Sequence, residues 1–153
     1  MFVSCFFCIF ALDMKYFTID ELCHSSTAKR MGIDNKPNNA VVCNLSRLVR
    51  EVLDPLREEY GRPIIVTSGY RSPKLNKLVG GTKYSAHLDG RAVDILSAGF
   101  VRELTKKIGD IIVNHINDWP IDQVIFENRD NRGLPAWIHV SFSRSPRRMI
   151  INS

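Results

Sequence analysis

The residue types best suited to chemistry lie in the stretch Ser85-Ala86-His87-Leu88-Asp89-Gly90-Arg91-Ala92-Val93-Asp94 and, far downstream, in Trp137-Ile138-His139-Val140-Ser141. Neutral imidazole nitrogen and carboxylate oxygen are donors that a catalytic zinc prefers, and three protein donors leave a fourth position for water. His87, Asp94 and His139 are therefore the candidate metal ligands. Any one of these histidines taken alone reads better as a satisfied structural residue; the set taken together favours a metal. His24 and His115 stand in no such company and are read as structural.

These side chains need a frame to bring them together. Gly90 permits a sharp reversal of the chain between His87 and Asp94, and Ala92 is small enough for close packing beside the site. Ala92–Ile95 reads as a strand. Two alternating runs, Asp122–Glu127 and Trp137–Phe142, flank a polar loop in the manner of an antiparallel strand pair. Side chains alternate faces along a strand. Val124, Phe126, Ile138, Val140 and Phe142 thus form an apolar face, while Gln123, Glu127, His139 and Ser141 share the other with Trp137 and Ile125. Ile125 is the misfit there.

Upstream, Pro63–Gly69 reads as a short buried strand ending in a glycine turn. Ser72 caps and Pro73 opens a short helix through Val79, and Gly80–Tyr84 is a loop leading into the histidine segment. Thr18 caps a helix running to about Lys29 or Arg30, ended by Met31-Gly32, and the polar stretch from Asp34 to Asn39 is a connection. Asn44 is expected to cap a longer helix, whose stripe of Leu45, Leu48, Val49, Val52, Leu53 and Leu56 has helical spacing. Pro55 kinks or tightens it, and Tyr60-Gly61 stops it. A last helix is expected between about Gly99 and Ile116. The class is α+β: helices packed on a small, mainly antiparallel sheet with the metal on its open face.

At 153 residues the chain suits one domain with a real core. The first 13 residues are apolar but shorter than the ~20 a spanning helix needs, and they lack the basic leader of a signal peptide. They are read as an upstream-start or disordered segment, with a cryptic export signal as the minority reading, residues 14–153 forming one domain and no stable membrane insertion. Cys5, Cys8, Cys23 and Cys43 are read as reduced and mostly packed. A net charge of +5 fits an anionic polymer as well as a solvated surface. No basic run is dense enough, or mixed enough with aromatics, to favour nucleic acid.

The pattern SxHxxGxAxD, with Ser68-Gly69-Tyr70-Arg71-Ser72 upstream and the WIHVS strand downstream, resembles the zinc D-Ala-D-Ala carboxypeptidase and L-alanyl-D-glutamate endopeptidase family, which includes phage endolysins. The likeness runs from about Asn44 to Phe142. It implies a Hedgehog/DD-peptidase-like fold and Zn2+ held by His87, Asp94 and His139. It further implies peptidoglycan peptides as substrate, with hydrolysis by zinc-bound water. Arg71 matches the arginine that faces substrate in that family, where a guanidinium can grip a carboxylate or steady an oxyanion. Ser85 and Gln123 are candidates to orient the ligands by hydrogen bonding.

The general base is where the chain departs from part of the family. Some branches place an acid three residues before the last histidine, and here that position is Ala136. Glu127, on the face of His139, is the leading substitute, with Asp130 on the loop as the rival. The likeness implies a monomeric lysin of phage or prophage type, cytoplasmic until release and then acting on the cell wall. A wall- or metal-binding module of the same fold without hydrolysis is the alternative. A phage structural or nucleic-acid-associated protein rests on charge alone.

Overall fold

The computed structural model describes residues 14–153. The expectations for residues 1–13, including Cys5 and Cys8, lie outside the described residues. Five helices carry the N-terminal half: α1 (Ile19–Cys23), α2 (Ser26–Met31), α3 (Asn39–Leu48), α4 (Asp54–Tyr60) and α5 (Pro73–Leu78), with a π-helical stretch, Val49–Leu53, joining α3 to α4. Strand β1 (Ile64–Ser68) lies between α4 and α5. A 3₁₀ turn (Ala86–Asp89) leads into β2 (Ala92–Ser97). Then follow α6 (Arg102–Asn114), β3 (Ile121–Glu127), β4 (Trp137–Phe142) and β5 (Met149–Asn152).

The sheet order is β1-β2-β4-β3-β5. The β1–β2, β2–β4 and β3–β4 pairs are antiparallel, and β5 runs parallel to β3. The class is therefore the expected α+β. One face is covered by α6 and the α3–α4 run. Val93, Ile95, Val124, Ile138 and Val140 meet Leu45, Leu48, Val52, Leu53, Ile108 and Ile112 there, all fully buried. A Leu, Ile or Val taken out of water in this way contributes about 1.5–3 kcal/mol. This core fixes the sheet; the opposite face carries the polar residues.

Several local expectations are corrected. The helix beginning at Thr18 is two helices. His24 leaves the helix in an extended conformation, and the Ser25 hydroxyl accepts from the Ala28 amide at 3.1 Å to cap a new start. The long helix begins five residues earlier than Asn44. Asn38 is its cap, accepting from the Val41 amide at 2.9 Å, while Asn44 reaches out to donate to the Asp89 carbonyl at 2.8 Å. Pro55 does not tighten this run, since the turn ahead of it is the wider π-helix. A proline cannot donate to the carbonyl four residues back and its ring crowds that group; the wider π-helical stretch ahead of it relieves the conflict. Cys43 is exposed rather than packed, and Cys23 is half-buried with burial pushing its thiol up to about 11.

Strand β5 has no counterpart in the sequence reading. It is stapled by Arg147, whose amide and guanidinium donate to the buried Asp122 carboxylate at 2.6–3.2 Å. Its presence explains Ile125: that side chain pairs with Ile151 of β5 as well as with His139 of β4. No helix among the described residues is long and apolar enough to cross a membrane.

Candidate metal centre

Strands β2 and β4 are paired so that Asp94 lies directly opposite His139. Both side chains therefore project from the face away from the helical core. His87 comes from outside the sheet, on the 3₁₀ turn. Gly90 closes that turn at φ +68°, where a Cβ would meet Val41 and Leu45 at 2.8–3.0 Å. Among the described residues, His87, Asp94 and His139 are a group that could hold a metal ion: one donor atom from each lies within 4.8 Å of the others. The imidazole rings stand 5.1 Å apart and nearly edge to face.

The hydrogen bonds test whether this set suits a cation. His87 is 2% exposed, and its Nδ1 lies 2.7 Å from the Gly69 carbonyl. A carbonyl only accepts, so Nδ1 carries a proton, and Nε2 presents a lone pair whenever the ring is neutral. That lone pair faces Asp94 Oδ1 at 3.3 Å. Two acceptors held face to face call for a proton or a cation between them. His139 Nδ1 lies 2.9 Å from the same oxygen. The donor chemistry, imidazole nitrogen with carboxylate oxygen, suits a metal ion.

Asp94 is buried, and burial by itself raises a carboxyl pKa. Hydrogen bonding and charge from His139 and His87 outweigh that, so its carboxyl is held well below the usual range and stays ionised. Its second oxygen accepts from Arg71 Nη2 at 2.8 Å, while Arg71 Nε donates to Ser68 Oγ at 2.8 Å. The guanidinium thereby stands beside Asp94.

The other candidates fall in different places. Ser85 does not touch a ligand ring; its hydroxyl accepts from the His87 amide at 3.4 Å and shapes the turn. The group orienting His87 is the Gly69 carbonyl, which side-chain reasoning misses because any residue has one. What a sequence does show is a glycine at 69: a Cβ there would sit 2.0 Å from the Leu22 carbonyl oxygen. Gln123 lies opposite Ser141, and its amide donates to Met149 Sδ at 3.8 Å rather than to a ligand.

Glu127 faces Trp137 across the β3–β4 ladder and Ile125 faces His139. Glu127 is thus on the ligand face and diagonal to His139, a relation that spans about 7–8 Å between strands. Its carboxylate makes no hydrogen bond or ion pair among the described residues. Asp130 is already engaged: it accepts from the Leu134 and Arg132 amides at 2.9 Å and pairs with the Arg132 guanidinium. Those bonds hold its carboxyl below the usual range. His24 is exposed. His115 pairs with Glu59 at 2.6 Å and stacks on Trp119 at 4.4 Å.

The fold and this donor set define a candidate metal centre on the open face of a mainly antiparallel sheet. The family model Peptidase M15 matches residues 15–119, and the chain belongs to that family, whose members are metallopeptidases. The matched region carries Arg71, His87 and Asp94 and ends before β3 and β4, which carry Glu127 and His139. No curated protein matches the chain.

Proposed function

We propose that this protein is a zinc peptidase that hydrolyses peptide bonds of bacterial peptidoglycan. The observation that carries the reading is the convergence of His87, Asp94 and His139 beside Arg71 in a metallopeptidase-family chain. When bound, zinc lowers the pKa of a water toward ~7 and polarises a carbonyl. The Gly69 carbonyl holds the His87 Nδ1 proton, so that Nε2 would be the nitrogen offered to a bound ion. Asp94 Oδ2 and Ser68 pin two of the Arg71 nitrogens and leave Nη1 for the negative charge that grows on the carbonyl oxygen under attack. Glu127 takes a proton from the attacking water and returns it to the leaving amine. Its uncommitted carboxylate favours it over Asp130. A phage or prophage lysin, cytoplasmic until release to the wall, is the setting this activity suits.

The second reading is a module of the same fold that binds wall or metal without cutting. It draws on Ala136, which stands where some family branches carry an acid and here donates its amide to the Glu127 carbonyl at 2.9 Å. Zymography on cell walls, with and without chelator, separates the two. The peptidase clears the wall and stops on chelation. Glu127→Gln then retains metal and loses about 10²–10⁴ in rate, and His87→Ala loses metal. A wild-type protein that binds zinc and never clears wall would favour the module.

A further inference from the structure

Arg71 sits on a loop, Gly69–Ser72, between β1 and α5, and a loop has no ladder of its own to hold a catalytic side chain. The peptide groups on either side of Arg71 are instead held by one side chain from the α2–α3 connection. Asn35 Nδ2 donates to the Tyr70 carbonyl at 3.0 Å and to the Cys23 carbonyl at 2.9 Å, and Asn35 Oδ1 accepts from the Ser72 amide at 2.7 Å. The remaining bonds of the loop tie it to the rest of the site. The Tyr70 amide donates to the Leu22 carbonyl at 2.8 Å, and the Arg71 amide to the His87 carbonyl at 3.1 Å. Asn35 therefore links the α1 end, the Arg71 loop and, through it, the His87 turn.

We propose that Asn35 is a positioning residue that acts through Arg71, setting where the guanidinium stands beside Asp94. The inference rests on the reading of Arg71 as the group that faces substrate. An asparagine suits this place because it must donate twice and accept once in the same plane. An aspartate would set carboxylate oxygens against the Tyr70 and Cys23 carbonyls, and an alanine would leave Tyr70 O and Ser72 N–H without their partner. A displacement of about 1 Å at a reacting group can cost on the order of 10²-fold in rate.

The test is a double-mutant cycle on the zinc-loaded protein, read by kcat on a peptidoglycan peptide, together with the Arg71 Nε–H signal in nitrogen-15 NMR. Asn35→Ala should lower kcat by about 10- to 100-fold with zinc content unchanged, and should lower it no further in an Arg71→Ala background. A role in general stability would lower it in both backgrounds, and that result overturns the proposal. The Arg71 Nε–H, held on Ser68 Oγ in the wild type, should shift and exchange faster in Asn35→Ala and in Asn35→Asp. An unmoved signal in both folded variants overturns the proposal whatever the activity. Should the wild type cleave nothing, the peptidase reading falls while the NMR result still decides Asn35. Failure of both variants to fold would assign Asn35 to the fold and also overturn it.

Discussion

Gly90 lies between two of the candidate ligands, and its replacement by alanine has a cost that can be divided. Its φ of +68° is a left-handed conformation, which costs a residue bearing a Cβ roughly 1–2 kcal/mol. The added methyl would also stand 2.8 Å from Val41 Cγ1, 2.9 Å from the Val41 carbonyl and 3.0 Å from Leu45 Cγ. Overpacking of a filled core costs about 1–3 kcal/mol. Gly61 supplies the control, because it has φ +72° and nothing within 4 Å of its missing Cβ. Gly61→Ala should thus lose ~1–2 kcal/mol by backbone strain alone, and Gly90→Ala about 2–5 kcal/mol by both effects. At about 2–4 °C per kcal/mol for a chain of this size, that is a fall in Tm of ~4–20 °C. Urea denaturation of wild type and the two variants measures it, and zinc titration of Gly90→Ala should show weaker binding as the His87 turn shifts. Equal losses for Gly90→Ala and Gly61→Ala would refute the packing argument, and with it the claim that the turn is wedged on α3.

Zinc at about 100-fold over its dissociation constant should stabilise the wild type by ~2.7 kcal/mol, read as a rise in Tm. His139→Ala should abolish that rise even though His139 lies beyond the family-matched residues. Asp122 is held below the usual carboxylate range, first by hydrogen bonding from Arg147. Its stabilising contribution is complete above the unfolded value of about 3.9 and is lost as pH falls through the lower folded value. The urea midpoint of Asp122→Asn should therefore lie below wild type at pH 6 and approach it near pH 3. Asn38→Ala should cost about 1 kcal/mol in chemical denaturation by removing the α3 cap.

The sequence carried the site further than it carried the frame. Alternation along residues 121–127 and 137–142 was enough to place His139 and Glu127 on one face, because a half-buried sheet leaves only one register that buries Val124, Phe126, Ile138 and Val140. The residue types at 87, 94 and 139 suggested a metal before any geometry. What stayed hidden was non-local. Asn44 has cap chemistry, yet it spends it on Asp89, and nothing nearby distinguishes it from Asn38. Strand β5 offers two isoleucines between arginines and a polar end, too short a run to read alone; it exists because Arg147 finds Asp122 across 25 residues. The clasp on His87 is a main-chain carbonyl, and the clasp on the Arg71 loop comes from a residue 36 positions upstream. Such partners are set by topology rather than spacing.

The strand order has a consequence for how an ion would be held. Asp94 and His139 belong to β2 and β4, which have hydrogen-bonded neighbours on both sides, so their main-chain protons should trade with deuterium only when the whole molecule opens. His87 hangs on a single turn and should trade sooner. A bound ion would then rest on two ligands from the rigid floor of the sheet and on a third whose main chain opens sooner, though its ring stays clasped by the Gly69 carbonyl.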